Sequence, residues 1–548
     1  MKNRYILLLL ASFFYPDFKA QQVFLNVNHE LSAVEEKALY SKQSNFHTSI
    51  RPFYHREVME VYNRDSVMES LQKDNRLFLK SDRWWAKALR WSENKLLDEH
   101  FIDRSLGVLN VRLDPVMDFS IGRDRLNLDR TWMNTRGFHL EGEIGKKFQF
   151  NSSFYESQGL FLPYMQTYMN QTYIVPGQGR YKLFKGGPAV DWGYSRGVLV
   201  YKANKTFTFQ FGHDKNFIGD GYRSLLLSDN AFNYPFLKIE TNFWNIKYVN
   251  LYAQLNHMGF SSAEDRLFDR KYISAQYLSW NATKWLNFSL FEMVEWRALP
   301  TRDFDFNYLN PIIFLRPVEF QNGSEDKVMI GATTKIKVLN KLSLYGQVVI
   351  DDLKISELRQ QNGWWGNKYG FQAGMKAFDV FTLKGLSVQA EYNMARPYTY
   401  SHSDSINTYA QLNQALAHPL GANFKEGVGF IRYNYKRHYI QLRGSYAIFG
   451  LDTANINHGQ NIFYSYNTNK VEIEGEDGLY GHKTLQGLKT TLTILEAKYA
   501  FMLNPASSLM LEVGITDRVF ANELTENRTR LVFFGLKTNL QNFYYDFL

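Results

Sequence analysis

The segment from Phe211 to Asn230, FGHDKNFIGDGYRSLLLSDN, holds the densest chemistry in the chain. Asp214, Lys215, Asp220, Arg223 and Asp229 place opposite charges within a short span, among Gly212, Gly219 and Gly221. Glycines permit tight turns, and Leu225, Leu226 and Leu227 interrupt the alternation of the flanking residues. The pattern predicts an inward-folded segment with Arg223 paired to a carboxylate. Two chemistries fit it. One is a structural plug held by ion pairs, with Asp214 and Asp220 as the charges and Gly219 and Gly221 as the turns. The other is a glycan-binding floor. There, Arg223 and Asp229 would meet hydroxyls or uronates, and Tyr222 or Trp192 would offer a stacking face. The plug is the favoured reading. Pro311 to Phe320 offers a second pair, Arg316 and Glu319, expected in a barrel lumen, with ligand contact by Arg316 as the lesser alternative.

Catalytic arrangements are missing from the sequence. It has no His-Glu-x-x-His, no Gly-x-Ser-x-Gly elbow and no phosphate-binding loop. Asp303, Asp305 and Asn307 alternate, but a calcium loop would need Gly at Tyr308 and Glu at Phe314. A polar lumenal face is the preferred account of that triplet. His418-Pro-Leu-Gly-Ala-Asn423 reads as a rigid loop. With no cysteine, thiolate metal sites, disulfides and a lipid-modified Cys are excluded. The expectation is a non-enzymatic chain without a metal or organic cofactor.

The elements that must position these residues are strands. From Lys327 to Val338, Val328, Ile330, Ala332, Ile336 and Val338 fall on one side; Lys327, Thr333, Lys335 and Lys337 fall on the other. Runs of ~10 alternating residues suit a strand that crosses a bilayer, apolar outside and polar inside. Only a helix or a closed sheet satisfies backbone N–H and C=O groups in hydrocarbon. Similar runs recur at Phe138–Ile144, Phe148–Phe154, Phe207–Phe211, Leu342–Ile350 and Leu509–Ile515. Counting them gives roughly 16–20 strands, with eighteen favoured. The fold class is all-β: a large antiparallel transmembrane β-barrel, residues 106–548, with a small N-terminal helical portion. Asn340-Lys341 and Asn504-Pro505 mark tight turns. The long insertions are Gln158–Ser195, Phe217–Tyr234, Leu299–Asp326, Tyr398–Lys425 and Leu451–Gly487, and function is expected there or in the lumen they cover. Phe543, Tyr545 and Phe547 alternate with Asn542, Tyr544 and Asp546, which predicts that the final segment is the closing strand.

Lys2 and Arg4 precede an apolar stretch from Tyr5 to Phe14, and Ala20-Gln21 fits a cleavage point, so residues 1–20 read as a secretory signal. No later run of eighteen apolar residues exists. Residues 21–105 read as a helical, periplasmic or plug-like segment, with helices at Ser66–Gln72 and Arg83–Phe101. Aromatics make up 16% of the 548 residues, as expected of interfacial girdles. The mean hydropathy of −0.37 agrees with strands that face a polar lumen on one side. The net charge is +9, but no basic run concentrates it, which argues against nucleic acid. A basic lumen or loop set would attract anionic polymers such as acidic polysaccharide or lipopolysaccharide.

Several stretches carry a resemblance: Asn134-Thr-Arg-Gly-Phe138, Val175-Pro-Gly-Gln-Gly-Arg180, Gly212 to Lys238, Asn310-Pro311, Arg316-Pro-Val-Glu319, His418 to Phe424 and Asn461 to Asn467. On these residues the chain resembles the Bacteroidota outer-membrane proteins called gliding-motility protein RemB, grouped with the Wzi-like capsule-assembly family. The resemblance covers most of the chain after the signal and is most specific over Gly212–Lys238. It implies an outer-membrane barrel of a Gram-negative cell, surrounded by lipid and lipopolysaccharide, with a helical periplasmic part. The implied function is binding or retention of surface polysaccharide, associated with gliding motility that depends on type IX secretion. It transfers no sugar-contacting residues, because those loops differ most. A structural subunit of a type IX secretion or adhesin complex, with outer-membrane or periplasmic protein partners, is the alternative. A porin-like channel is the third reading.

Overall fold

The computed structural model describes residues 33–62, 84–259, 267–312, 315–323, 325–453, 456–468 and 478–548. The signal at 1–20 and the helix expected at Ser66–Gln72 lie outside them. Eighteen antiparallel strands form a closed wall. In chain order they are β1 Leu109–Asp124, β2 Arg130–Ile144, β3 Phe148–Leu160, β4 Val190–Lys202, β5 Phe207–Asp214 and β6 Tyr234–Phe243. Next come β7 Ile246–His257, β8 Asp269–Asn281, β9 Leu286–Arg297, β10 Lys327–Leu339, β11 Leu342–Asp352 and β12 Lys368–Phe378. The last six are β13 Leu386–Ala395, β14 Phe424–Tyr435, β15 His438–Leu451, β16 Leu488–Asn504, β17 Leu509–Ala521 and β18 Glu526–Thr538.

The two-residue rhythm sets the faces. On β10, Thr333, Lys335 and Lys337 are buried toward the lumen, whereas Ile330 and Val338 are exposed outside. Their partners continue the pattern: Ile336 opposes Leu344 on β11. Exposed outward residues such as Phe154, Leu199, Phe211, Val348, Leu442, Val513 and Phe534 form an apolar belt. Short turns gather at one end, including the expected Asn340-Lys341 and Asn504-Pro505 positions, and the long connections gather at the other. No helix among the described residues is long and apolar enough to cross a membrane.

Three segments fill the lumen. Helix α1, Ala33–Leu39, and helix α2, His55–Met59, enter from the short-turn end. Between them, Ile50 pairs with Ile218 of the connection between β5 and β6. That connection, the strap, folds inward from the long-loop end. Residues 539–548 turn back into the lumen from the short-turn end. A further helix, α3 Trp84–Leu97, sits on the short-turn rim. There the Asn504 side chain donates to the carbonyls of Lys95 (3.1 Å) and Glu99 (2.9 Å), and Arg437 Nη1 donates to that of Leu97 (3.0 Å).

One expectation is corrected. The final segment at residues 542–547 is not the closing strand. The wall closes through β18, from Leu531 opposite Asp124 to Lys537 opposite Asp118. The physical reason is charge: Asp546 is fully buried beside Arg223 and Arg443, where it neutralises cations that a lipid-facing strand could not reach. Below the reach of β18, a short strand at Ile102–Leu106 covers β1, pairing Ile102 with Leu113. Pro115, with no N–H to offer a ladder, sits between these two partners.

Candidate functional site

The strap is locked by a buried charge network. Arg223 Nη2 lies 3.0 Å from Glu426 Oε1 on β14 and 3.1 Å from Asp546 Oδ1 in the inward-turned tail. Its guanidinium also lies 4.8 Å from the Tyr222 ring and 5.4 Å from the Tyr544 ring. Burial would push the guanidinium down, but Asp546 and Glu426 hold it well above its ordinary value. The carboxylate of Glu391 on β13 accepts the N–H groups of Tyr222 (2.8 Å) and Arg223 (3.0 Å), fixing the strap backbone. Arg223 therefore pairs with carboxylates as the sequence predicts, and does so where no solvent reaches.

The other strap residues share this role. Asp220 accepts from Tyr40 OH at 2.8 Å and from Thr48, and Lys335 lies 3.9 Å away. Burial would raise its carboxyl, yet Lys335 and the two hydroxyls hold it below the usual value. Asp220 thus ties the strap to the N-terminal segment. Asp229 accepts from Tyr544 OH (2.7 Å) and from the Asn542 amide (2.9 Å), tying the strap to the tail. Asp214, at the end of β5, lies 3.5 Å from Arg196. Gly219 has φ +152, a conformation that disfavours side chains, and a Cβ on it would stand 2.3 Å from Gln347 Nε2. Gly221 is required by a close approach: its Cβ would stand 2.3 Å from a Glu391 oxygen.

Of the stacking candidates, Trp192 is buried on β4 against Phe161 and donates from Nε1 to Gln178 (3.0 Å). Tyr222 donates to Asp546 Oδ2 (2.9 Å) and packs edge-on to Phe430. Arg316 and Glu319 do pair, at 2.7 Å, on the helix Arg316–Asn322. That pair is not lumenal, contrary to expectation. The connection between β9 and β10 lies on the outer wall, and the Arg316 and Leu315 N–H groups donate to Glu292, which points outward. Asp303 and Asp305 go with it: Tyr272 OH donates to Asp303 (2.7 Å), and Arg302 binds Asp305 and Asp326 (2.7 Å each). His418 stands 2.8 Å from Glu426, within the lock.

The open space lies beside the lock. A cavity of about 310 Å³ runs between the tail and the inner faces of β1, β2, β16, β17 and β18. Its size is at the lower end for small-molecule sites. Carboxylates and cations alternate on its walls. Arg443 binds Glu496 at 3.0 Å, Lys537 stands 3.7 Å from Asp118, and Lys498 stands 3.9 Å from Glu512. Aromatic faces come from Tyr155, Tyr164, Phe533 and Tyr545. The Arg518 guanidinium lies 4.1 Å from the Tyr164 ring centre and donates from Nε to Leu548 O at 2.5 Å. Paired charges with flat aromatic faces suit hydroxyl-rich and carboxylate-bearing ligands. Among the described residues no group of His, Asp or Glu is arranged to hold a metal.

The sequence reading missed these wall residues. The available signal was the charge at inward positions of β16 and β17, Glu496, Lys498, Glu512 and Arg518. What it could not show is that the tail would lie opposite them.

No family model matches the chain, and no curated protein matches it. Among solved structures, it is similar to Wzi, described as an outer membrane protein involved in group 1 capsule assembly in Escherichia coli and as a carbohydrate-binding β-barrel. The TM-score is 0.53 at 11% identity, over 94% of this chain and 99% of that one. Pseudomonas aeruginosa OprD gives a TM-score of 0.40 at 11% identity, covering 78% of this chain and 94% of that one. Acinetobacter baumannii OccAB2 gives 0.41 at 11% identity, covering 78% and 97%. The chain has a Wzi-like fold.

Proposed function

We propose that this chain is an outer-membrane barrel of a Gram-negative cell that binds and retains surface polysaccharide without catalysis, in association with gliding motility. The apolar belt and the signal-like N-terminus support the location. The observation that carries the function is the cavity beside the closing seam, where ion-paired walls and aromatic faces meet beneath the long-loop end. The fold shared with a protein described as carbohydrate-binding supports it. Membership of the RemB group, and with it the gliding link, rests on the sequence resemblance. The non-catalytic reading is supported by carboxylates engaged with cations: Glu496 with Arg443, and Asp118 with Lys537. The filled lumen argues against an open channel.

The test is saturable binding of neutral and uronate-containing oligosaccharides to the purified full chain. Arg518→Ala and Lys537→Ala should each weaken binding by about tenfold, the loss of one charged hydrogen bond. Absence of binding, or unchanged affinity in both variants, overturns the proposal.

The subunit reading keeps one specific observation in its favour. On and just beyond α3, Trp91, Leu96 and Phe101 are exposed at the short-turn rim. Gentle extraction followed by mass spectrometry separates the readings: a stoichiometric protein partner favours the subunit, and a lone barrel carrying glycan favours retention.

A further inference from the structure

The connection between β9 and β10 lies against the outside of the barrel, where lipid would otherwise be. The wall beneath it mixes the apolar faces of Tyr272, Val294 and Trp296 with buried polar groups. Asn250, Gln276 and Glu292 form one cross-strand row that continues to Ile330, an exposed apolar residue of the outer belt. All three therefore point outward, and all three are buried. Ser274, opposite Tyr252 in the next row, is buried as well. Polar groups on a hydrocarbon-facing wall are costly unless they find partners.

The connection supplies partners to Ser274, Gln276 and Glu292, while Asn250 Oδ1 is left without one. Ser274 Oγ donates to the Tyr308 carbonyl (2.8 Å), and Gln276 Nε2 to that of Asn310 (2.6 Å). Tyr252 OH donates to the Leu309 carbonyl (3.2 Å), and Trp296 Nε1 to that of Asp303 (3.2 Å). Glu292 accepts from the N–H groups of Leu315 (2.7 Å) and Arg316 (2.9 Å). Arg302, bridging Asp305 and Asp326, pins the segment internally. Wall and connection are complementary over three outward rows, those of Gln276, Ser274 and Trp296, so this placement is built in.

The new outer surface carries large apolar side chains among polar ones such as Asp303, Asn307, Gln321 and Asn322. Phe306 is 76% exposed, Ile312 66% and Phe320 73%, while the Arg316 side chain beside them is 63% exposed. Its height on the barrel identifies what covers it. Glu292 and Phe154 stand equally far along their strands from the short-turn ends at Leu286 and Phe148. Phe154 is an exposed apolar residue, and the next outward pair above it, Arg136 opposite Glu156, is charged. The connection therefore overlaps the upper part of the apolar belt, which reaches Ile330 on β10 and Leu495 on β16, each nine residues from its short-turn end. Apolar side chains beside an arginine at that level match the boundary between acyl chains and anionic headgroups.

We propose that residues 299–312 and 315–323 form a lipid-contacting saddle. Phe306, Ile312 and Phe320 dip into the acyl boundary of the long-loop leaflet, and Arg316 meets the phosphate groups of its lipids. The inference rests on the membrane placement proposed above. The absence of native cysteine makes the test clean. Phe306→Cys, Ile312→Cys and Phe320→Cys are spin-labelled singly in the full chain and reconstituted in vesicles of phosphatidylglycerol and phosphatidylethanolamine. Ile330→Cys is the belt control and Glu156→Cys the aqueous control. The expected result is a loss of collision with a water-soluble nickel complex, and retained collision with oxygen, as at Ile330. Nickel access like that at Glu156 overturns the saddle in favour of solvent. Shielding from both reagents overturns it in favour of a protein neighbour. Nickel access at Ile330 itself would refute the membrane placement instead.

Discussion

Arg223→Met removes the cation that joins strap, wall and tail. The side chain is about 1% exposed, as are its partners on Glu426 and Asp546. Removing one partner of a buried pair costs about 3–5 kcal/mol, because a buried charge is left without compensation. Here each orphaned carboxylate keeps two contacts: Asp546 Oδ2 lies 3.1 Å from Arg443 and accepts from Tyr222 OH (2.9 Å), and Glu426 Oε2 lies 2.8 Å from His418 and accepts from Asn393 Nδ2 (3.1 Å). The lower end, about 3 kcal/mol, is therefore expected, or about a hundredfold in the equilibrium for tail release. The wall has its own ladders, so the loss should fall on residues 539–548. Hydrogen exchange followed by mass spectrometry reads it directly: tail amides should exchange about a hundredfold faster while β14 to β18 stay protected. Adding Glu426→Gln removes one orphaned charge and should recover part of the protection. Oligosaccharide affinity should fall in parallel, because Phe543, Tyr545 and Asp546 line the cavity. Wild-type tail protection in Arg223→Met, with the barrel intact, would refute the lock.

Two further outcomes follow from the strap. Gly221→Ala should loosen it by about 1–3 kcal/mol, the cost of overpacking, since the added Cβ would stand 2.3 Å from Glu391 and 2.8 Å from the Arg223 carbonyl; faster exchange at residues 216–231 is the readout. Lys215 is held at about 8, chiefly by burial, although Asp229 and Asp214 partly oppose the shift. A lysine with a folded pKa below its unfolded one binds fewer protons when folded, so stability rises with pH between about 8 and the unfolded value of 10.5. The urea midpoint of the wild type should therefore climb across that window relative to Lys215→Met, by at most ~3 kcal/mol in free energy; parallel midpoints would refute the assignment.

The wall was legible because alternation reports which face of a strand is polar, whatever its neighbours. Lys335 and Ile330 declare opposite faces within one segment. The strap was legible too, because five charges among glycines and three leucines fit no wall strand. The tail was not. The alternation of Phe543, Tyr545 and Phe547 with polar neighbours is the same whether a strand closes the wall or lies against the strap. Arg316 and Glu319 were read correctly as a pair and placed on the wrong side of the wall, since an i,i+3 pair on a short helix carries no information about what the helix rests on.

By itself the sequence determined a closed antiparallel sheet, its inner and outer faces, and an inward strap with a paired Arg223. These follow from local spacing, because the side-chain period and the charge inventory are properties of each segment. Only the tertiary structure decided which carboxylates meet Arg223, that the tail lines a cavity, and that the connection after β9 rests on the outer wall. Those outcomes depend on contacts between segments hundreds of residues apart, such as Tyr222 with Asp546 and Tyr40 with Asp220. Buried charges must find partners wherever the chain can bring them, and that search is settled by the whole barrel rather than by any one stretch of it.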